Sequence, residues 1–461
     1  MAAAKEDATM PSKNSATTSD IFRDYMVTTL YNRAKEISEK VVIKPKEKTK
    51  NWDEKLDSLL TSRWAGFPIM LLILTIIFWI TIVGANVPST MLANALFWVE
   101  DRLTEVFLYF KAPDWLHGIL ILGMYRTGAW VISVMLPPMA IFFPCFTLLE
   151  DLGYLPRVAF NLDRLFKKAG THGKQALTMS MGFGCNAAGV VACRIIDSPR
   201  ERLIAILTNN FVPCNGRFPT LIALSMIFMG AAANSSLSSF LASGMVIGLV
   251  LVGIGITFIV SFLLSKTVLK GTPSTFNLEL PPYRKPKIGK VIIRSIFDRT
   301  IFVLGRAVAI ALPAGVITWL VANIMIGDTS ILTYVADFLN PFGLAIGLDG
   351  IILLAFILGL PANEIVLPII FMGYLSTDAM IEIDSIVEMR NLFISNGWTI
   401  LTCLNVMLFS LLHFPCGTTL WTIKKETQSI KWTLASFVIP TIIAILICFI
   451  TTKIAYIFNL I

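Results

Sequence analysis

The sequence predicts an all-α, polytopic membrane protein, with seven or eight transmembrane helices and two re-entrant gate elements in two pseudo-repeated halves. Three observations carry that expectation. Of 461 residues, 55% are hydrophobic and only 15% charged, where a soluble domain carries about a quarter charged residues. Apolar runs long enough to cross roughly 30 Å of hydrocarbon recur near 67–84, 128–149, 203–230, 240–265, 301–326, 398–423 and 433–458. Two further runs, 176–196 and 350–375, are broken by glycine, proline and polar residues.

Residues 1–20 are polar and poor in aromatics, which predicts disorder. The segment 21–65 opens with Phe22, Met26, Leu30, Ala34, Ile37 and Val41 at helical spacing, an amphipathic helix that serves as an interfacial anchor or a docking surface. The run "IKPKEKTKNWDEK" then reads as a solvated linker. No short apolar core with a small-residue cleavage site precedes it, so this region is expected to stay on the mature chain. A first transmembrane half with gate 1 covers 66–265, a basic loop 266–299, and a second half with gate 2 300–461.

The net charge of +8 is distributed as a membrane protein distributes it, which excludes nucleic acid as the natural partner. Lys266, Lys270, Arg284, Lys285, Lys287, Lys290, Arg294 and Arg299 crowd one loop, and 150–174 and 424–431 are basic too. The segments 327–349 and 376–389 carry acids and face the other side. With basic loops inward, the N-terminus is cytoplasmic, and 176–196 and 350–375 must each enter and leave by one face.

Helix-breaking residues at membrane depth are tolerated only against protein or a water-lined cavity, so the breaks mark a pathway. The halves share a weak repeat. "GFGCNAAGVVACR" (Gly182–Arg194) is followed by "NNFVPCNGRFPTLI" (Asn209–Ile222), and "LGLPANEIVLPII" (Leu358–Ile370) by "LLHFPCGTTLWTI" (Leu411–Ile423), each second segment reading as a Pro-Cys pair within a long apolar helix. Cys185, Asn186, Cys214, Cys416, Asn363 and Glu364 thereby offer sulfur, amide oxygen and carboxylate, a shell for a borderline divalent transition metal. Glu364 is the clearest of these, because an intramembrane carboxylate is costly. His413 stands three residues before Cys416, on the same face of a helix, as a ligand or a helix-to-helix hydrogen-bonder. Asn209, Asn210, Thr418 and Thr419 read as packing glue, and Cys145, Cys193 and Cys448 as small hydrophobes. No CxxC pair signals a disulfide framework. "KKAGTHGKQAL" lacks both the first glycine and the final Ser/Thr of a P-loop, so no nucleotide site and no permanently bound cofactor is expected, and no motif reads as an enzyme's.

At this point the chain resembles the FeoB-type ferrous iron transporters in their membrane (gate) domain. "LLEDLGYLPRVAFNLDRLFKKAG" and "GFGCNAAGVVACRIIDSPRERLIAILTNNFVPCNGRFP" carry EDxGY, GCN, R-x-I-x-x-x-R-E-R and C-x-x-R-x-P in order, and "LPPYRKP", "GLDGIILLAFILGLPANEIV" and "HFPCGTTLWTIKKETQSIKW" follow. The resemblance runs from about Phe22 to the C-terminus. It implies that Cys185, Cys214 and Cys416 line an iron path, with Glu364 at the acidic position of the second gate, in a transporter importing Fe²⁺ across the bacterial cytoplasmic (inner) membrane. Ala187 and Ala188 stand where the family usually has Val-Pro, and Asn363 where lysine is usual. Family members ordinarily begin with a GTP-binding domain, and this sequence with the helix that would follow it; a separate GTPase or small accessory protein acting in trans is implied, beside the lipid bilayer and a homo-oligomeric arrangement. The alternatives are a carrier of another divalent metal such as Mn²⁺, a nucleoside-type solute transporter, which the sulfurs argue against, and a non-transporting scaffold for a GTPase.

Overall fold

The computed structural model describes residues 18–41, 52–62, 64–229, 235–271, 283, 287–327, 329–381, 383 and 385–458. Among them the regular structure is helical, apart from one hairpin of two-residue strands, β1 (Met325–Ile326) and β2 (Thr329–Ser330). The expected disorder of residues 1–17, the linker from 42 to 51 and the middle of the basic loop lie outside the described residues.

Helix α1 (Thr18–Val41) forms where the apolar spacing predicts it and starts slightly earlier. Its side chains from Tyr25 to Val41 are all exposed. Helix α2 (Trp52–Leu60) corrects the reading of its stretch as linker. It is polar, and tertiary contacts hold it: Arg157 donates from Nε to Asp57 Oδ1 at 3.0 Å, Tyr283 donates its hydroxyl to the same oxygen at 2.7 Å, and Asn161 donates to the Leu60 carbonyl at 2.7 Å. The guanidinium of Arg157, itself buried, lies 4.1 Å from the centre of the Tyr283 ring. This clamp lies outside the spanning helices and joins the N-terminal segment, the basic loop and α6 (Tyr154–Lys168).

The clamp carries a pH signature. The Arg157 hydrogen bond, ahead of the opposing effect of burial, holds the Asp57 carboxyl below its usual range, and burial together with the Asp57 bond pushes the Tyr283 phenol up to about 12. A lowered carboxyl stabilises the fold above the free carboxylate pKa and loses that contribution as pH falls; a raised phenol contributes below the free tyrosine value and loses it as pH rises toward 12. Hydrogen-exchange protection of α2 should therefore be flat from about pH 5 to 9 and fall beyond both ends. Asp57→Asn should abolish the acidic limb. A wild-type profile indifferent to acid and alkali would dismiss the clamp.

The bundle is built from α3 (Gly66–Tyr109), α4 (Asp114–His117) continuing through a π-helical turn (Gly118–Tyr125) into α5 (Arg126–Asp151), α7 (Lys174–Gly184), α8 (Asn186–Ala192), α9 (Pro199–Thr208), α10 (Phe218–Met229) and α11 (Ser235–Lys266). The second half has α12 (Ile288–Arg294) running through Ser295–Ile301 into α13 (Phe302–Asn323), then α14 (Ile331–Ala345), α15 (Gly350–Leu358), α16 (Val366–Leu375), α17 (Ile386–Ser395), α18 (Ile400–Leu412), α19 (Gly417–Thr427) and α20 (Ile430–Ile457). Among the described residues six stretches are long and apolar enough to span a membrane: Gly66–Tyr109, Asp114–Asp151, Leu241–Lys266, Ile288–Asn323, Ile400–Thr427 and Ile430–Ile457. A seventh candidate, α14 with α15, is bent by 110°.

Three expectations are corrected. The apolar run 203–230 is not one helix: α9 and α10 are separated by a 3₁₀ turn (Asn209–Phe211) and an irregular segment, though both pack along α11. The run 398–423 is likewise divided into α18 and α19, both packed on α20. In both cases the Pro-Cys pair lies in the interruption, because proline supplies no N–H and excludes the helical conformation before it. The basic loop also ends early, since Ile288 already begins the helix that becomes α13. The 44-residue α3 outruns its hydropathy signal because Glu100 is buried in an ion pair with Arg126 at 2.7 Å.

Candidate functional site

Four interruptions of the helical path converge at the centre. In gate 1, α7 stops at Cys185, whose backbone is extended (φ −156°, ψ 124°), and α8 starts at Asn186. In gate 2 the extended residue is Ala362 (φ −149°, ψ 120°), followed by Asn363. Between α9 and α10 lie Pro213 and Cys214; between α18 and α19 lie His413 to Cys416, with Cys416 extended. Each interruption leaves unpaired backbone groups that a helix would pair, and the interrupted segments pair some of them with one another: Asn215 N–H donates to Gly184 O at 3.3 Å and Gly417 N–H to Leu360 O at 2.7 Å.

Arg217 completes the arrangement. It is fully buried, and its two terminal nitrogens donate to Asn210 O (2.9 Å), Leu411 O (2.7 Å), Asn210 Oδ1 (3.2 Å), His413 O (3.2 Å) and Phe414 O (3.1 Å). Asn210 Nδ2 also donates to His413 O at 2.6 Å. One guanidinium thus caps the end of α18 from the other half of the chain, a fork geometry that lysine cannot reproduce. In sequence Arg217 stands only as the arginine of the C-x-x-R-x-P feature, with no role of its own, although a charge in an apolar stretch signals one. The glycines of the opening motif make room: a Cβ on Gly182 or Gly189 would stand within 2.8 Å of Asn209, and one on Gly184 would overlap the Phe142 ring. Asn209 in turn donates to Asn186 O at 3.1 Å, so Asn209 and Asn210 act as the cross-links their positions suggest.

Inside the convergence is a cavity of about 30 Å³, walled by Cys185, Asn186, Cys214, Asn363, Glu364 and Cys416, with Thr418 and Thr419 beside them. Six of the seven residues expected from sequence as metal ligands, Cys185, Asn186, Cys214, Asn363, Glu364 and Cys416, therefore meet at one place. The seventh, His413, does not. With 413–416 outside any helix, the shared face of His413 and Cys416 does not exist; the His413 ring instead packs among Phe356, Phe409 and Phe414, with Nδ1 2.9 Å from the carbonyls of Phe409 and Ser410. The Glu364 carboxylate lies so close to Gly216 that any Cβ there would overlap it. Among the described residues no three His, Cys, Asp or Glu side chains come together as a preformed metal cage, and all seven cysteines are free. Cys193, Cys403 and Cys448 are buried away from the cavity. Just past the end of α8, Arg194 pairs with Glu426 of α19 at 2.7 Å.

Residues 132–229 and 304–430 match the Gate family, described as nucleoside recognition, and residues 246–298 match the ferrous iron transport protein B C terminus. The Fe(2+) transporter FeoB of Staphylococcus aureus (strain MSSA476) is 31% identical over 431 residues, 91% of this chain and 61% of the relative. The Fe(2+) transporter FeoB of Campylobacter jejuni is 26% identical over 438 residues, 91% of this chain and 68% of the relative. A Fe(2+) transport protein A/Fe(2+) transporter FeoB fusion protein of Porphyromonas gingivalis is 26% identical, covering 89% of this chain and 52% of the relative. The chain spans about three fifths of the staphylococcal relatives' length. No solved structure matches it.

Proposed function

Because this chain belongs to the FeoB-type family in its membrane part, we propose that it carries ferrous iron across the membrane through the cavity where its four helix interruptions meet. The observation that carries this reading is the wall itself: three cysteines, three asparagines and a glutamate around about 30 Å³. That space suits one dehydrated ion. Sites for small organic ligands measure roughly 300–1,000 Å³, so the nucleoside reading, which the Gate description favours, would need a much wider state of the same cavity. Sulfur with oxygen suits Fe²⁺ over Mg²⁺ or Ca²⁺, and Mn²⁺ is the closest rival. With no three strong ligands in one cage among the described residues, Cys185, Cys214 and Cys416, assisted by Asn186 and Glu364, would hold the ion partially and in turn, which permits release. His413 would support the wall from behind it.

Uptake by the purified chain in liposomes tests the proposal. Fe²⁺ should accumulate, excess Mn²⁺ should compete weakly, and nucleosides should neither enter nor compete. Failure of Fe²⁺ to enter under any nucleotide or partner condition would end this reading.

The basic end of the bundle faces the cytoplasm of a bacterial inner membrane in this reading, which makes the direction inward. Cysteine labelling of residues 270–290 from outside would contradict it. A separate GTPase drives or regulates transport by docking on α1, whose Tyr25, Met26, Leu30, Tyr31, Ile37 and Val41 are exposed. The relative fused to transport protein A supports a small accessory protein as well. Deleting residues 1–45 should abolish association with the GTPase and reduce uptake; if both survive, α1 is no docking surface.

A further inference from the structure

The two re-entrant elements break in the same way. Each has one extended residue, Cys185 or Ala362, followed at once by an asparagine that opens the returning helical turn. The sulfur occurs in one half only, but the amide occurs in both. Asn186 and Asn363 are 3% and 4% exposed, both line the cavity, and in both the side-chain oxygen is buried with no hydrogen-bond donor. Asn186 spends its Nδ2 on Asn210 Oδ1 at 3.4 Å, which leaves the oxygen for another partner. The hydroxyl of Thr418, on the same wall, is also without a partner. Buried polar atoms are nearly always paired, so three orphans on one small cavity call for an explanation.

We infer that Asn363 is a cargo-binding residue, the repeat-related partner of Asn186, and that the two amide oxygens with the Thr418 hydroxyl form an oxygen station beside the cysteines. The inference rests on the reading of this cavity as a cation path. Amide and hydroxyl oxygens are hard, neutral donors: they replace water around a divalent ion without adding charge, so they hold it weakly. Thiolates are soft and hold it tightly. Placing the two kinds side by side gives the ion a weak step next to a strong one, and the oxygen station discriminates for cations that accept hard donors, Mn²⁺ and Fe²⁺ included, and against purely thiophilic ones.

The test uses the full chain in detergent with two probes, each alone: Mn²⁺, followed by loss of the free-ion electron paramagnetic resonance signal, and Cd²⁺, followed by its thiolate charge-transfer absorbance. Asn363→Ala should weaken Mn²⁺ binding about tenfold and leave Cd²⁺ binding within about twofold. Cys185→Ser should do the reverse. Asn363→Asp keeps the shape and adds a charge, so it should tighten Mn²⁺ by about tenfold or more; a merely structural asparagine predicts no gain, and this variant decides the matter even if the alanine form does not fold. Wild-type affinity for Mn²⁺ in both variants, or no Mn²⁺ binding by the wild type, would overturn the inference. If the Mn²⁺ pattern appears while the wild type fails to transport Fe²⁺, the oxygen station stands and the transport reading falls. If Fe²⁺ is transported and the pattern is missing, the reverse holds.

Discussion

Replacing Cys185, Cys214 or Cys416 with serine is expected to reduce Fe²⁺ uptake by about tenfold or more in each case, whereas serine at Cys145, Cys193 or Cys448 should leave it within about twofold. The first three line one cavity. Serine nearly preserves their size and removes only the soft donor, so the loss reports chemistry and not volume. The second three serve packing: Cys193 donates to Gly189 O at 3.3 Å within its own turn, Cys448 to Asn405 O at 3.5 Å, and Cys145 packs at the edge of the Phe142 and Phe146 cluster. Uptake at matched expression in proteoliposomes, with thermal stability measured in parallel, separates the sets. Equal transport by all six variants would reduce the cavity cysteines to core filler.

Removing the charge of Glu364 should cost still more, because among the described residues it is the one carboxylate on the cavity wall. Glu364→Gln keeps the shape and the contact with Gly216, yet a dication in a poorly solvated cavity then has no carboxylate on the wall to offset its charge. Uptake should fall by roughly a hundredfold, and Glu364→Asp should recover part of it. Gly216→Ala provides an independent approach, since its Cβ would overlap the carboxylate and push Glu364 off the wall; it should mimic Glu364→Gln while leaving the charge in the protein. Wild-type uptake in Glu364→Gln would remove this residue from the ion's route.

Much of the site was legible because its residues are unusual for their surroundings. Cys185 and Asn186 stood between glycines, Cys214 and Cys416 after prolines, and Glu364 inside an apolar run. His413 misled because a helical spacing was applied across Pro415, where no helix exists. The role of Arg217, visible in sequence only as part of C-x-x-R-x-P, was not legible because it depends on carbonyls of Leu411, His413 and Phe414, far along the chain. Thr418 was assigned to packing, yet it lines the cavity with its hydroxyl unpaired. A side chain's hydrogen-bond partners cannot be counted from its neighbours in sequence.

By itself, the sequence determined the class of fold, most of the long apolar helices and the two broken elements. The reason is local: hydrocarbon leaves backbone N–H and C=O groups no partner but the next helical turn, so hydropathy and helix breakers are sufficient to read crossings and interruptions. Only the tertiary structure decided how the interruptions close on one another. The bonds from Asn215 to Gly184 and from Gly417 to Leu360, and the Arg217 fork, join segments distant in the chain and satisfy the groups the breaks expose. The same closure sorts Cys185, Cys214 and Cys416 onto a cavity and leaves Cys193 and Cys448 in the packing, a division that depends on which orphaned groups find each other across the fold.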